Sequence, residues 1–187
     1  TLLTVLTFSC YKKSIHYKLT EIDYQMIPYK LGQTVNFVDS LGQPFVLKVT
    51  NDTTRSYSDE PEWVSVDEWL VQLKYEFSNF RISLVIDAVH SQIRITPSIY
   101  HNYYFNLKYD EEGKFVTDTT RSFNKQYYYD SLEINNKVYY DVVENIICKA
   151  HTSHENENKI PIGLLYNKTY GVLQLADKDK VLFTIDN

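Results

Sequence analysis

The sequence predicts an all-β protein, either an antiparallel sandwich or an open barrel, built from consecutive hairpins with little helix. Aromatic residues, which favour strands, make up 15% of the 187 residues. Alanine, the best helix former, occurs only at Ala88, Ala150 and Ala176. Short segments of alternating polar and apolar residues are separated by turn residues along most of the chain. Together these features predict a single β domain over residues 31–187.

The composition also narrows the classes of partner. The chain carries 19 Lys and Arg against 24 Asp and Glu, a net charge of −5, so it has no basic surface to hold a phosphate backbone. With only 5 Gly and 5 Pro, the sequence is neither of low complexity nor collagen-like. We therefore expect a globular domain without a nucleic-acid partner.

The first hairpin is predicted from residues 34–38 and 44–50, which both alternate. Residues 39–43 between them, Asp-Ser-Leu-Gly-Gln, include residue types that favour turns. Residues 59–62 then interrupt the pattern with three acidic residues and Pro61. The next segment, residues 63–68, is predicted to be a loop or a short helical turn.

The clearest strand covers residues 69–77, where Trp, Val, Leu, Tyr and Phe alternate with polar residues. Ser78-Asn79 predicts a tight turn into a second strand over residues 80–90. Residues 93–99 form a third extended segment, in which Pro97 predicts a strand end or an edge strand.

Further hairpins follow in the second half of the chain. One covers residues 103–109 and 114–117 around a turn at residues 110–113, and another covers residues 132–140 around Asn135-Asn136. The second strand of the latter hairpin is predicted to continue to Cys148. Residues 162–175 and 180–185 predict two closing strands.

The chain opens with an apolar segment that stops at Cys10. This segment is too short to span a bilayer as a helix, but it matches the end of the apolar region of a signal peptide. The polar residues Tyr11, Lys12 and Lys13 follow at once. We therefore interpret residues 1–10 as a signal-peptide remnant and residues 11–30 as a tether and lead-in.

The segment Leu6-Thr7-Phe8-Ser9-Cys10 resembles a bacterial lipobox in the loose form common in Bacteroidetes lipoproteins. Thr7 and Phe8 stand where Leu and a small residue are usual. The resemblance implies that Cys10 is acylated and becomes the first mature residue, so that lipid chains attach the protein to a membrane. The alternative is a buried N-terminal strand that ends in an ordinary cysteine.

Residues 27–35, 138–142 and 164–175 also resemble segments of small β-rich envelope lipoproteins of Bacteroidetes, a family without an assigned activity. The resemblance implies a β fold and anchoring to the outer membrane. In this family an acidic stretch after the cysteine directs export to the cell surface. Lys12 and Lys13 occupy that place here, which favours a domain that faces the periplasm.

An acylated Cys10 leaves Cys148 as a single thiol, and the alternative is a Cys10–Cys148 disulfide. Cys148 also begins a C-x2-H-x2-H arrangement with His151 and His154, residue types that bind zinc or copper. The polar sequence around these histidines is more typical of a solvated loop, and no further ligand is identifiable. We therefore predict neither a metal nor a cofactor.

Four Asp-Ser or Asp-Thr pairs, each followed by Leu or Thr, resemble the O-glycosylation signal of Bacteroidetes envelope proteins. The resemblance implies modification at Ser40, Thr53, Thr119 and Ser131. The alternative is that these pairs only open turns, as Asp-Ser and Asp-Thr often do.

No catalytic motif occurs, neither G-x-S-x-G, nor a Gly-rich phosphate loop, nor H-E-x-x-H. We predict a non-enzymatic binding or assembly module whose protein, glycan or lipid partner the residues do not identify. The alternative is an envelope hydrolase that acts on glycans through a carboxylate pair in the loop from Asp59 to Glu68. The candidate contact surface consists of aromatic residues near this loop and in one later segment: Trp63, Trp69, Tyr127, Tyr128 and Tyr129.

Overall fold

The computed structural model describes residues 14–59, 64–99, 104–121, 124–148, 161–177 and 180–186. These residues form one sheet of thirteen strands, which curls into a nearly closed barrel, and one short helix. The predicted all-β class is therefore confirmed, with the barrel as its architecture. The elements are β1 (Ile15–Tyr17), α1 (Glu21–Gln25), β2 (Thr34–Asp39), β3 (Pro44–Asp59), β4 (Val64–Tyr75), β5 (Arg81–Asp87), β6 (Gln92–Pro97), β7 (Phe105–Lys108), β8 (Asp118–Arg121), β9 (Asn124–Ile134), β10 (Lys137–Cys148), β11 (Pro161–Asn167), β12 (Gly171–Asp177) and β13 (Lys180–Ile185).

The sheet is assembled almost entirely from neighbours in the chain. Its order is β7-β6-β5-β4-β3-β2-β13-β12-β11-β10-β9-β8, and these neighbouring strands are antiparallel. The pairing of β13 with β2 joins the two halves of the chain. The short strand β1 is the exception, since it pairs in parallel with the first residues of β4. Consecutive hairpins of this kind are the connection that the sequence predicts.

Two of the predicted turns have the backbone conformation that their residues favour. Asn135 and Asn136 have φ angles of 51° and 62°, and Asn tolerates this left-handed region better than most residues. In the turn between β2 and β3, Asp39 Oδ1 accepts hydrogen bonds from the backbone N–H groups of Leu41 and Gln43. Both turns therefore form where the sequence predicts them.

The prediction of one strand over residues 162–175 is wrong. The segment is a hairpin, in which β11 and β12 pair with each other around a turn at residues 168–170. Both strands are mostly buried, so the sequence around the turn is too apolar to show a clear break. Gly171, with a φ angle of 78°, follows this turn.

The prediction of a loop or helical turn over residues 63–68 is also wrong for its described part. Residues from Val64 onward belong to β4, which pairs with β3 from Asp59 to Leu47. Strand β3 is 16 residues long and β4 is 12, so this hairpin is much longer than the predicted one. The strand prediction failed here because three acidic residues and Pro61 just before Val64 interrupt the alternating pattern.

Residues of the predicted lead-in belong to the folded domain. Helix α1 begins after Thr20 in a capping box, in which the Thr20 side chain accepts from the Asp23 N–H and the Asp23 carboxylate accepts from the Thr20 N–H. Beyond the helix, Met26, Ile27 and Tyr29 are buried in the core. The segment from Thr20 to Lys30 therefore covers one end of the barrel.

The covered end, which we call the helix end, is the one where β7 and β11 finish and β12 begins. Buried polar contacts attach the segment from Thr20 to Lys30 to this end. The Tyr109 hydroxyl donates to Asp23 Oδ1 at 2.5 Å, and the Tyr166 hydroxyl donates to the Met26 carbonyl at 2.5 Å. The Tyr29 hydroxyl oxygen accepts from the Val172 N–H at 2.7 Å.

The opposite end, which we call the phenylalanine end, is closed by aromatic rings that pack mostly edge to face. Phe45 contacts Phe37, Tyr75, Phe80 and Phe183, with ring centroids 5.6 to 6.5 Å apart. These rings come from the hairpins β2–β3 and β4–β5 and from β13. Their contacts are between apolar surfaces, so this end of the barrel is closed by the hydrophobic effect.

The barrel closes at a seam between β7 and the β9–β10 hairpin, where side-chain amides replace strand pairing. The Gln126 side chain accepts from the Lys108 N–H and donates to the Lys108 and Val116 carbonyls. Asn145 donates to the Asn106 carbonyl at 3.0 Å. Because Gln126 and Asn145 are buried, these bonds satisfy backbone groups that water does not reach.

Candidate functional site

The predicted contact residue Trp69 lies in a cleft at the helix end, which we call the Trp69 cleft. The indole N–H of Trp69 donates to Asp52 Oδ1 at 2.7 Å, and Thr54 lies directly opposite Trp69 in the β3–β4 pair. The Tyr24 ring from α1 packs against the indole with ring centroids 5.1 Å apart. These four residues line a cavity of about 460 Å³ together with residues of the segment that follows α1.

The two rings of the Trp69 cleft differ in exposure. Trp69 is 6% exposed, whereas Tyr24 is 46% exposed, so Tyr24 offers most of the accessible aromatic surface. The Tyr24 hydroxyl also lies 3.4 Å from Thr54 Oγ1. An exposed ring beside a carboxylate and a hydroxyl can bind a ligand that has one apolar face and several hydroxyl groups. The other predicted tryptophan, Trp63, lies outside the described residues.

The predicted segment Tyr127 to Tyr129 lies in β9 and does not form one patch. Successive strand residues face opposite sides of a sheet, and all three tyrosines are half-buried. The Tyr128 hydroxyl donates to Asp141 at 2.6 Å, which raises the pKa of Tyr128 to about 12. The Tyr129 hydroxyl donates to Glu144 at 2.7 Å, and burial together with this bond raises its pKa to about 12.

The acidic segment from Asp59 to Glu68 does not bring its described carboxylates together. Asp67 and Glu68 are neighbours on β4, so their side chains point to opposite faces. Glu68 accepts two hydrogen bonds from Arg55. The hydroxyl of Ser56, and then His16, hydrogen-bond to Asp67 and lower its pKa. Glu60 and Glu62, and the side chain of Asp59, lie outside the described part of the chain.

All four predicted modification sites have exposed side chains. Ser40 lies in the β2–β3 turn and Thr53 on the β3–β4 hairpin, while Thr119 is in β8 and Ser131 in β9. Asp118, which precedes Thr119, hydrogen-bonds to Lys108, and this contact lowers the Asp118 pKa well below its usual range. Access of a modifying enzyme is therefore open at each site.

A second cleft, which the sequence did not predict, lies on the outer face of β6 and β7. We call it the Arg94 cleft. It has a volume of about 600 Å³. Its principal lining residues are Val89, His90, Arg94, Tyr104, Asn106, Lys108 and Val116.

Charges in the Arg94 cleft are balanced by neighbouring carboxylates. Asp87 accepts from His90 Nδ1 at 2.7 Å and lies 3.9 Å from the Arg94 guanidinium. Lys108 pairs with Asp118. The Arg94 guanidinium also lies over the Tyr104 ring, 5.5 Å from its centroid.

No protein-family model matches the chain, and no curated protein and no solved structure matches it either. Within the described ranges, no helix has the length and hydrophobicity needed to cross a membrane. In the same ranges, no three side chains of the metal-binding types His, Cys, Asp and Glu come together. Cys10, His151 and His154 and the side chain of Cys148 lie outside that part of the chain.

Sequence reasoning identified Trp69 but missed the residues around it. Tyr24 falls within the predicted lead-in, and Asp52 stands out in the sequence only as the residue before the predicted modification site Thr53. The Arg94 cleft had no linear signal, because its residues come from β6, β7 and the loops that flank them. The alternation over residues 93–99 would have placed Arg94 on the outer face, but not beside Tyr104.

Proposed function

We propose that this chain is the non-enzymatic binding module of a tethered envelope lipoprotein and that it binds a neutral saccharide in the Trp69 cleft. The observation that supports this function is the grouping of Tyr24, Trp69 and the Asp52 carboxylate in one cavity of about 460 Å³. This volume lies within the usual range for small-molecule sites. Of the protein, glycan and lipid partners that the sequence left open, we therefore favour a glycan.

The chemistry of the cleft matches the two kinds of surface on a sugar ring. The C–H face of a hexose is apolar and can pack on the exposed Tyr24 ring, which removes apolar area from water. The hydroxyl groups at the ring edge can donate hydrogen bonds to Asp52 and can form one with Thr54. Among the described contacts, Trp69 uses only Oδ1 of the Asp52 carboxylate. A carboxylate accepts such hydrogen bonds more strongly than a neutral oxygen does.

Contacts within the protein hold the aromatic residues of the cleft in place. Trp69 is fixed by strand pairing with Thr54 and by its hydrogen bond to Asp52. Tyr24 is carried by a helix that begins in a capping box and whose Asp23 is hydrogen-bonded to Tyr109. Side chains that are already ordered lose little entropy on binding, which favours affinity for a weakly binding ligand such as a sugar.

Titration of the full chain with neutral disaccharides tests this function. In a Trp63→Phe background, Trp69 is the only tryptophan, so its fluorescence reports on the cleft. We expect maltose, cellobiose, lactose or mannobiose to change this fluorescence at millimolar concentration. Tyr24→Ala and Asp52→Asn should each weaken binding about tenfold, the effect of one lost contact of about 1.4 kcal/mol.

Phe77→Ala is the matched control for Tyr24→Ala. Phe77 is an exposed aromatic residue at the phenylalanine end, with 83% of its surface accessible. Its removal should leave disaccharide binding unchanged. Equal loss in both variants, or no response to any of the four disaccharides, would exclude saccharide binding at this cleft.

Attachment through an acylated Cys10 is the second part of the proposal. Ile15 is already paired with Val64, so only five residue steps separate Cys10 from the folded domain. Five steps span at most about 18 Å, so the end of the β3–β4 hairpin would lie near the membrane. Two lipid chains supply enough apolar area for stable anchoring.

Mass spectrometry of the membrane-extracted protein tests the attachment. We expect a diacylated Cys10 at the new N-terminus, whereas a free or disulfide-bonded Cys10 would contradict it. With Lys12 and Lys13 after the cysteine, we propose a periplasm-facing domain that protease does not remove from intact cells. The intact mass also tests O-glycosylation at Ser40, Thr53, Thr119 and Ser131, which adds glycan mass to that of the lipoprotein.

A further inference from the structure

Three cationic residues lie side by side on the outer face of the barrel near the phenylalanine end. In the strand pairing, Lys48 lies directly opposite Lys74, and Lys74 lies directly opposite Arg81. The residue before each lysine and the residue after Arg81 are fully buried in the core, so the three cationic side chains point outward. Adjacent strands are about 4.8 Å apart, so the row spans only about 10 Å of the sheet.

Among the described residues, no carboxylate forms an ion pair with any member of this row. The other arginines with described side chains differ from Arg81, since Arg55 pairs with Glu68 and Arg94 lies near Asp87. Like charges directly opposite each other destabilise an antiparallel pair. A row of cations without counter-charges in a chain of net charge −5 therefore favours an anion from outside the protein.

Lys74 and Arg81 line one cleft of about 400 Å³, which we call the Lys74 cleft. Its other lining residues are neutral and polar: Thr50, Gln72, Asn79 and Ser98. The cleft is held by contacts between strands, since the Arg81 N–H donates to Ser98 Oγ at 2.9 Å. The Thr50 hydroxyl and the Asn79 amide can donate hydrogen bonds to the oxygens of an anion. Unlike the Arg94 cleft, this cleft has no carboxylate in its lining.

The charges and donors of the Lys74 cleft match a phosphate monoester. A guanidinium can donate two parallel hydrogen bonds to phosphate oxygens, and an ammonium adds a compact charge. A phosphate monoester carries about 1.5 to 2 negative charges at pH 7, so it matches two cations better than a carboxylate does. The row has too few cations to hold the successive phosphates of a nucleic acid.

We propose that the Lys74 cleft binds one phosphate monoester group, carried either by a soluble ester or by a lipid headgroup. The Lys48 ammonium, next to Lys74 in the row, adds to the attraction from the side. This site is separate from the Trp69 cleft and does not depend on the function proposed for it.

Calorimetric titration of the full chain with inorganic phosphate, glycerol phosphate and glycerol tests this proposal. We expect both phosphates to bind and glycerol to give no heat. Arg81→Met and Lys74→Met should each weaken phosphate binding about tenfold. Arg81→Lys, which keeps the charge but not the planar fork, should weaken it less than Arg81→Met does. Lys180→Met is the matched control, because Lys180 is an exposed lysine on β13 that does not line the cleft.

Sedimentation with lipid vesicles distinguishes the two sources of the phosphate. Phosphatidylcholine vesicles that contain phosphatidic acid should capture the chain if the cleft binds a lipid headgroup, and Arg81→Met should lose this capture. Vesicles of phosphatidylcholine alone are the control. Binding of glycerol phosphate without capture by vesicles would assign the cleft to a soluble ester.

Three results would overturn the proposal. The first is no heat with either phosphate at about 10 mM, a concentration that detects millimolar affinity, together with no capture by the vesicles. The second is binding that Arg81→Met and Lys74→Met leave unchanged. The third is equal weakening in Lys180→Met, because binding would then follow the overall charge. Disaccharide binding at the Trp69 cleft is measured without phosphate, so either proposal can fail without the other.

Discussion

The two ends of the barrel are closed by different kinds of interaction. At the phenylalanine end, the rings of Phe37, Phe45 and Phe183 pack on one another without a hydrogen bond to any other described side chain. At the helix end, a separate segment covers the opening and is attached through the buried hydroxyls of Tyr109 and Tyr166. The first kind of closure depends on apolar area alone, and the second depends on matched donors and acceptors.

This difference explains where the Trp69 cleft forms. Rings that pack on one another fill the space between the strands, whereas a covering segment with its own backbone leaves a gap beside the strands it crosses. The Trp69 cleft lies in such a gap, between the segment that follows α1 and the β3–β4 hairpin. Polar closure costs stability when a single partner is removed, because the remaining group stays buried without a hydrogen bond. The helix end is therefore the more sensitive of the two ends.

The largest expected effect is that of Gly171→Ala at the helix end. Gly171 has a φ angle of 78°, and a Cβ atom there would lie 2.1 Å from the Tyr29 hydroxyl oxygen. Strain in the left-handed region and displacement of Tyr29 together should lower the free energy of unfolding by about 4 kcal/mol. Urea denaturation followed by circular dichroism measures this change.

Gly42→Ala at the other end is the matched control for Gly171→Ala. Gly42 has a φ angle of 76°, and no atom lies within 4 Å of an added Cβ. Only the backbone strain of the left-handed conformation remains, so the free energy of unfolding should fall by about 1 kcal/mol. Equal losses in the two variants would mean that the contact between Tyr29 and the β11–β12 turn does not constrain this end.

Tyr109→Phe should have the next largest effect. It removes the hydroxyl that donates to Asp23 Oδ1, and both residues are buried. A buried carboxylate oxygen without this donor should lower the free energy of unfolding by about 2 kcal/mol. Tyr75→Phe is the control at the phenylalanine end, where Tyr75 contributes its ring to the packing, and its change should stay within about 0.5 kcal/mol. Similar values for the two variants would contradict the comparison.

Alkaline pH should weaken the helix end, where three buried tyrosines have raised pKa values. Burial raises the pKa values of Tyr29, Tyr109 and Tyr166 above that of a free tyrosine, and the Asp23 contact raises that of Tyr109 further. Above about pH 10 the unfolded chain loses these protons while the folded chain keeps them, so stability falls as pH rises. Each such group contributes up to about 1.4 kcal/mol per pH unit.

The same two variants test this pH dependence. Tyr109→Phe should reduce the slope of the free energy of unfolding between pH 10 and pH 11 by up to about 1.4 kcal/mol per pH unit. Tyr75→Phe, which removes a tyrosine hydroxyl at the phenylalanine end, is measured beside it as the control. An unchanged slope in Tyr109→Phe would show that Tyr109 ionises equally in both states.

The fold was predictable where one face of a strand is polar. The alternation over residues 69–75 matches the buried side chains of Trp69, Val71 and Leu73, and Asn135-Asn136 forms the predicted turn. Prediction failed where this contrast is absent. The β11–β12 hairpin is apolar on both faces, and β3 from Asn51 to Ser56 is polar on both, so neither shows its true boundaries.

The candidate sites were less predictable, because they depend on partners that are distant in the chain. Trp69 was identified from its residue type, but its ring is mostly buried and Tyr24 supplies the exposed surface. Gln126 and Asn145 have side chains that usually lie on the surface, yet they are buried because they bond the edge of β7. A single sequence does not show with which distant backbone groups a side-chain amide forms hydrogen bonds.

Among the variants that test the helix end, Thr20→Ala should have the smallest effect. Thr20 Oγ1 accepts from the Asp23 N–H and donates to Asp23 Oδ2, so its loss opens the capping box of α1. We expect the free energy of unfolding to fall by about 1 kcal/mol in urea denaturation. Disaccharide binding should weaken several-fold at the same time, because Tyr24 lies on this helix.

Ser78→Ala provides the comparison at the phenylalanine end. Ser78 Oγ accepts from the Phe80 N–H in the exposed β4–β5 turn, so a side chain of similar kind caps a similar backbone group. Its loss should change stability by no more than about 0.5 kcal/mol and leave binding unaltered. If Thr20→Ala lowers stability but leaves binding intact, then α1 closes the barrel without positioning Tyr24. In that case the Tyr24 ring would contribute only to packing, as the rings at the phenylalanine end do.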